Sequence, residues 1–272
     1  MSIAYATLAE MLRARSGLIL GPDKLYLLET RLAPILKREN IRDLAELTSR
    51  LRPGSPLERD VVDAMTTNES LFFRDSKPFD ALRKTILPRL HGCRMPGAPL
   101  RIWSAAASTG QEAYSIAMVV AELAGTLAGR KVEILGTDIA RDPLERARQG
   151  LYSQFEIQRG LPMQMLVKHF AKEESQWRLK PQLRDAVSFR EWNLLSDLRP
   201  LGMFDVVFCR NVLIYFDPPT KRRVLEAIAR QMPADGVLFL GGAETVLGLT
   251  EAFRAVPGEN GTYARSAVGV MA

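Results

Sequence analysis

The sequence holds two cysteines, Cys93 and Cys209, and two histidines, His91 and His169. That is too few for a four-cysteine zinc site and offers no disulfide framework, so no metal is expected and the setting is read as reducing and cytoplasmic. No apolar stretch approaches the ~20 residues that a membrane-spanning helix requires. The run Ser115–Ala121 stops far short, so no membrane insertion is expected. The opening segment MSIAYATLAEMLRARSG has no basic region followed by a continuous apolar core, which argues against a secretory signal. Aromatic residues make up 7%, and no dense basic run is interleaved with them, so a nucleic-acid groove is not expected despite a net charge of +6. Internal repeats and low-complexity tracts are also missing. What is present, 47% hydrophobic and 25% charged residues over 272 positions, is enough for one sizeable domain and a small accessory one.

The positive excess is local. Met1 to Asp75 carries 11 Lys/Arg and 11 Asp/Glu, whereas 76–101 carries Lys77, Arg83, Lys84, Arg89, Arg94 and Arg101 against Asp80 alone. An acidic protein partner fits that distribution at least as well as nucleic acid.

Apolar residues at helical spacing (Leu8, Met11, Leu12; Leu28, Leu32, Ile35, Leu36; Leu44, Leu47, Leu51) predict short helices over 1–75, with Pro56 opening another. A linker is expected over 76–99, ending in the Gly/Pro-rich His91–Pro99. From 100 to 266 the rhythm becomes strand–helix alternation. Strands are predicted at 100–106, 131–139, 186–195, from 204 onward, and at 236–242, with helices between them. Gly150 is expected to end one helix, and Gly258-Glu-Asn-Gly261 to turn a final hairpin. This predicts an α/β, doubly wound open sheet of parallel strands with an antiparallel last strand. Residues 151–185 interrupt the alternation and read as a small inserted subdomain; 267–272 form a tail.

Ligands of doubly wound sheets bind beyond the carboxyl ends of the strands. The loop Ala105–Gly110 is small and tight but is not G-x-G-x-x-G, so no dinucleotide pyrophosphate is indicated. Asp138 ends the second strand, where a carboxylate can accept both hydroxyls of a ribose; Asp142 fits the cap of the following helix better. Asn193 and Leu194 end the third strand. The fourth runs from apolar residues into Arg210, Asn211 and Tyr215, and polar groups there are costly unless they serve something. Asn211 and Tyr215 would share a face if a helical turn follows. Both histidines are expected to be solvated, and both cysteines to be packing residues.

The blocks WSAAASTGQEAYSIA (103–117), FCRNVLIYF (208–216), TTNESLFFR (66–74), ILGTDI with L..AR.G.Y (134–152) and WNLL (192–195) stand in the order and spacing of the CheR family of chemotaxis receptor methyltransferases, which the chain closely resembles over roughly 5–265. The resemblance implies an N-terminal all-α domain and a Rossmann-like methyltransferase domain with a small inserted β-subdomain. It implies S-adenosyl-L-methionine as cofactor, with S-adenosyl-L-homocysteine as product. The implied reaction is O-methylation of glutamate side chains on cytoplasmic helices of chemoreceptors (methyl-accepting chemotaxis proteins). By position, Asn68, Ser70, Arg74, Glu112, Asp138, Asn193, Leu194, Arg210 and Asn211 match the family's cofactor-contacting residues, and Arg74 and Tyr215 those nearest the transferred methyl. A monomer recruited to receptor arrays is expected. Ser70 stands where Thr is usual and Ala113 where Pro is common. A cytosine-C5 methyltransferase would want Pro before Cys209, where Phe208 stands. An amino-directed DNA methyltransferase would want an aromatic after Asp217-Pro-Pro219, where Thr220 stands. A catalytically idle cofactor-sensing module is the rival of another class.

Overall fold

The computed structural model describes residues 3–266, so the tail expected at 267–272 lies outside the described residues. The chain divides into two compact units: one running to Thr67 and including Tyr215–Thr220, the other formed by Asn68–Ile214 and the chain from Lys221 on.

The first unit is helical: α1 (Ile3–Ser16), α2 (Tyr26–Arg38), α3 (Leu44–Arg50) and α4 (Pro56–Met65). The predicted stripe is its core, with Leu8, Leu12, Leu28, Leu32 and Leu47 fully buried. Asp43 caps α3 by accepting from Glu46 N at 2.8 Å, and Ser55 caps α4 by accepting from Glu58 N at 3.2 Å, with Pro56 at the first helical position. The buried Glu58 carboxylate accepts from Gly54 N at 2.7 Å and from Arg15 Nε at 3.0 Å. Within this unit Arg13 reaches Asp217 at 2.8 Å, and the main-chain N–H of Ile19 donates to Tyr215 O at 3.0 Å. Gly17, at φ +77°, lies so near Phe216 that a Cβ would stand 2.8 Å from the ring.

The second unit opens with α5 (Lys77–Ala81), a π-helical turn (Leu82–Ile86) and α6 (Leu87–Cys93). Helix therefore occupies most of the segment expected as a linker, and His91–Cys93 belong to α6. Leu82, Leu87 and Leu90 are fully buried in the core of the sheet unit. The elements that follow are β1 (Leu100–Ala105), α7 (Gln111–Glu122), β2 (Val132–Asp138), α8 (Arg141–Gln149), β3 (Leu151–Ser153), α9 (Gln154–Gln158), α10 (Met163–His169), β4 (Phe170–Glu173), β5 (Gln176–Leu179), α11 (Pro181–Arg184), β6 (Val187–Glu191), β7 (Val206–Cys209), α12 (Pro218–Arg230), β8 (Val237–Leu240), β9 (Phe253–Ala255) and β10 (Thr262–Arg265). They build a seven-stranded sheet in the order β6-β2-β1-β7-β8-β10-β9. The first five strands are parallel; β10 runs antiparallel to β8, and β9 antiparallel to β10. This is the expected α/β sheet with an antiparallel end. Strand order reverses between β1 and β7, the switch point beyond which such sheets bind ligands. Trp103 is fully buried on β1 and its indole N–H donates to Thr137 Oγ1 at 2.9 Å, joining β1 to β2.

Gly150 ends α8 in the left-handed region at φ +60°, as predicted. The insert that follows is a three-stranded antiparallel sheet, order β3-β5-β4, carrying α9 and α10. Phe72 anchors in it, edge-to-face with Tyr152 at 5.0 Å and with Phe170 at 5.7 Å.

Several expectations need correction. His169 is buried, not solvated: it ends α10 with Nε2 unpartnered among the described residues, and burial lowers its pKa. His91 is half-buried and accepts from Arg130 Nε at 2.8 Å. Cys93 is exposed, not the packing residue expected; Cys209 is buried as expected. The basic excess at 76–101 is largely spent inside the unit. Arg94 pairs with Asp205 and Asp235, both at 2.7 Å, Arg83 with Asp80 and Glu122 at 2.9 Å, and Arg101 with Glu133 at 3.2 Å. Apart from Asp80, these carboxylates lie 32 to 141 positions from their arginines, which local charge counting does not see. No helix among the described residues is long and apolar enough to cross a membrane.

Candidate functional site

The loop after β1 turns back on itself. Ala106, Ser108 and Gly110 all take positive φ, at +58°, +50° and +90°. For the two non-glycine residues that conformation costs roughly 1–2 kcal/mol each, and such strain tends to gather at functional sites. Asp138 at the tip of β2 holds the turn. Its Oδ2 accepts from Ser108 N at 2.8 Å and its Oδ1 from Ala140 N at 2.9 Å, with the residue 6% exposed. Asp138 thus does part of the work expected of Asp142, which lies inside the first turn of α8 while Ala140 occupies the cap position. Ser108 Oγ then donates to Asn68 O at 2.8 Å, fixing the start of the segment 68–75 over the loop.

The other end of that segment is tied to β7. Arg210 follows the strand, and its side chain is 1% exposed. Nη2 donates to Arg74 O and to Asp75 Oδ2, both at 2.8 Å, and Nη1 to Glu112 Oε2 at 3.1 Å. Glu112 also accepts from Ser104 Oγ at 2.8 Å. Burial pushes the Glu112 carboxyl above the usual carboxylate range, while Arg210 and Ser104 pull it back. Arg210 is thus an internal tie rather than an open surface. Only its Nε is without a partner among the described residues, as is the buried indole N–H of Trp192. The Arg74 main chain is held, but its half-buried guanidinium makes no hydrogen bond or ion pair among the described residues.

Strand β6 ends at Glu191, so Asn193 and Leu194 lie in the turn beyond it and not in the strand predicted to run to 195. The turn is pinned by Trp192 N donating to Asp138 O at 2.8 Å and by Asn193 Oδ1 accepting from Leu195 N at 2.9 Å. Asn68, Arg74, Glu112, Asp138, Asn193, Leu194, Arg210 and Asn211 are therefore gathered at the carboxyl ends of β1, β2, β6 and β7. Ser70 lies on the same 68–75 segment, its hydroxyl without a partner among the described residues. Asn211 sits at φ +59° and the next helical turn begins only at Leu213, so Asn211 and Tyr215 do not share one continuous helix face. Tyr215 ends that turn and clusters with the helical unit. Cys209 is buried and its thiol pushed up by desolvation, which removes it as a nucleophile. Sequence reading missed Ser104, Ser108, Asp75 and Glu244, each of which has a partner 8 to 135 positions away that leaves no local signal.

Residues 3–66 match the domain described as "CheR methyltransferase, all-alpha domain", and residues 68–262 match "CheR methyltransferase, SAM binding domain". The chain belongs to the CheR methyltransferase family. Among its relatives is chemotaxis protein methyltransferase 1 of Pseudomonas aeruginosa, 42% identical over 245 residues and covering 88% of this chain and 89% of that one. Cher2 of Pseudomonas putida is 40% identical over 246 residues, with the same coverage. Chemotaxis protein methyltransferase 1 of Vibrio cholerae is 38% identical over 257 residues, covering 93% and 92%.

S-adenosylmethionine is the cofactor of this CheR chain, and the gathered groups suit it. A buried carboxylate (Asp138) matches a ribose diol, and amides at 68, 193 and 211 match ring nitrogens and an amino acid moiety. The turn at 106–110, with positive φ at Ala106, Ser108 and Gly110, is pinned to the Asp138 carboxylate. The unpartnered donors at Trp192 and Arg210 are the kind of buried polar group that a bound ligand or water accounts for.

Proposed function

We propose that this chain transfers a methyl group from S-adenosyl-L-methionine to glutamate side-chain carboxylates of chemoreceptors, as a protein-glutamate O-methyltransferase acting in the cytoplasm as a monomer recruited to receptor arrays. The names of the relatives support the substrate class. The observation that carries the reading is Arg74, whose carbonyl is clamped by Arg210 while its guanidinium makes no hydrogen bond or ion pair among the described residues. A guanidinium so placed is suited to a planar carboxylate.

When bound, the cofactor supplies a methyl group activated by a sulfonium. The chain's own residues then have little acid–base work. A glutamate carboxylate, with an ordinary pKa of about 4.3, is ionised at neutral pH and needs no general base. Arg74 is suited to orienting that carboxylate, and Tyr215 is carried by its match to the family residue nearest the transferred methyl; Asn68, Ser70, Glu112, Asp138, Asn193, Leu194, Arg210 and Asn211 would hold or shape the cofactor pocket. Holding two reactants in register is worth roughly 7–11 kcal/mol, enough to be the main contribution.

Tritiated methyl transfer to receptor-containing membranes tests the proposal. Alkali-labile label on receptor bands, lost with Arg74→Ala, is the expected result. Cofactor binding without label on any receptor would sink it.

A further inference from the structure

Beyond β8 the chain makes a tight loop, and its Glu244 is 8% exposed. No side chain or cation pairs with this carboxylate among the described residues; main-chain N–H groups surround it instead. Oε2 accepts from Gly241 N at 2.7 Å and Asn211 N at 2.8 Å; Oε1 accepts from Val212 N at 2.9 Å and Ile214 N at 3.3 Å. Three of the four donors belong to the turn that leaves β7. Their convergence is possible because Asn211 takes φ +59°, which swings successive N–H groups to one side and builds an anion-binding concavity. Gly241 is the matching requirement across the gap: a Cβ there would stand 2.7 Å from Asn211 Nδ2 and 2.8 Å from Glu244 Oε2.

We infer that Glu244 is a positioning residue for the cofactor site, acting through the Arg210–Asn211 turn. This rests on reading Arg210 and Asn211 as cofactor-side residues. An asparagine in the left-handed region is strained, and the strain persists only where the surroundings over-determine it. Glu244 supplies that determination, because one buried anion satisfies three donors of this turn that have no other partner among the described residues. The turn is then fixed on both flanks. Arg210 is tied to Arg74, Asp75 and Glu112 by its side chain, and Asn211–Ile214 are tied to Glu244 by their backbone. The negative charge of Glu244 is also felt at Glu112, whose carboxyl it pushes up, so the two flanks of the site are electrostatically linked.

Glu244→Gln keeps the shape but turns an NH2 toward two main-chain N–H groups. Binding of S-adenosylhomocysteine is measured by calorimetry on the full chain, alongside amide hydrogen exchange. The expected result is Kd raised 10-fold or more, with faster exchange confined to 210–214 and 241–244. Glu244→Asp, which keeps the charge on a shorter arm, should recover part of the affinity. Arg94→Gln, which breaks an ion-pair cluster elsewhere in the unit, serves as the stability control and should leave Kd within twofold. Unchanged Kd in Glu244→Gln overturns the inference, as does an equal loss in Arg94→Gln. Asn211→Ala separates the two claims. If it binds normally, the reading of the site fails; if it binds weakly while Glu244→Gln binds normally, only the positioning role fails.

Discussion

The Arg210 guanidinium donates through Nη2 to the main-chain oxygen of Arg74 at 2.8 Å, so a residue just past the tip of β7 holds the backbone of the 68–75 segment. The same guanidinium neutralises Glu112, which burial otherwise pushes toward its protonated form.

Removing Arg210 therefore strands a buried carboxylate. Arg210→Met is expected to destabilise the sheet unit by about 3–5 kcal/mol, the usual cost of deleting one partner of a buried pair. All three tryptophans, 103, 177 and 192, lie in that unit, so their fluorescence during urea unfolding reports it. Adding Glu112→Gln to the same chain should recover part of the loss. A cost below about 1 kcal/mol would contradict the role.

The Arg94 cluster sets an acid limb. Arg94 holds the Asp235 carboxyl below its ordinary value of 3.8, with burial opposing. A carboxyl with a lowered folded pKa binds protons more readily when unfolded. Its stabilisation is thus present above about 3.8 and lost as pH falls through the lowered folded value. Arg94→Gln should lower stability at neutral pH and flatten the fall in acid, the two proteins converging at low pH. Parallel pH–stability curves would rule this out.

Phe72 is the point where the 68–75 segment enters the insert. It is fully buried against Tyr152 and Phe170. Phe72→Ala should cost about 3–5 kcal/mol and speed amide exchange in β3 and β5. Gly160→Ala should do similar damage, since a Cβ would sit 2.1 Å from the Phe72 carbonyl oxygen at a φ of +99°. Normal exchange in both variants would mean that the insert holds itself together.

Asp138 shapes the loop after β1, accepting from Ser108 N and Ala140 N. Asp138→Asn turns an NH2 toward Ser108 N or Ala140 N. Calorimetry with S-adenosylhomocysteine should show affinity reduced at least about 10-fold, roughly 1.4 kcal/mol. Wild-type affinity would remove Asp138 from the cofactor set.

Much of this protein was legible from local pattern. The Leu stripes of α1–α4, the strand–helix alternation from residue 100, Gly150 as a helix stop and the Gly258–Gly261 turn all follow from short-range rules of periodicity and backbone preference. The position of Asp138 and Arg210 at strand ends was equally readable, because a parallel sheet sends its strand tips to one edge.

What the tertiary structure decided is the work each polar residue does there. Arg210 reads from sequence as a ligand-facing cation, and the fold makes it a buried tie between Arg74, Asp75 and Glu112. His169 reads as a solvated helix end and is buried under the insert's packing. Glu244 carries no sequence signal at all, since its partners are main-chain N–H groups that every residue owns. Secondary structure depends on neighbours within a few residues and is written locally. The pairing of buried charges depends on which distant segments share a low-dielectric space, and only the folded chain brings those together.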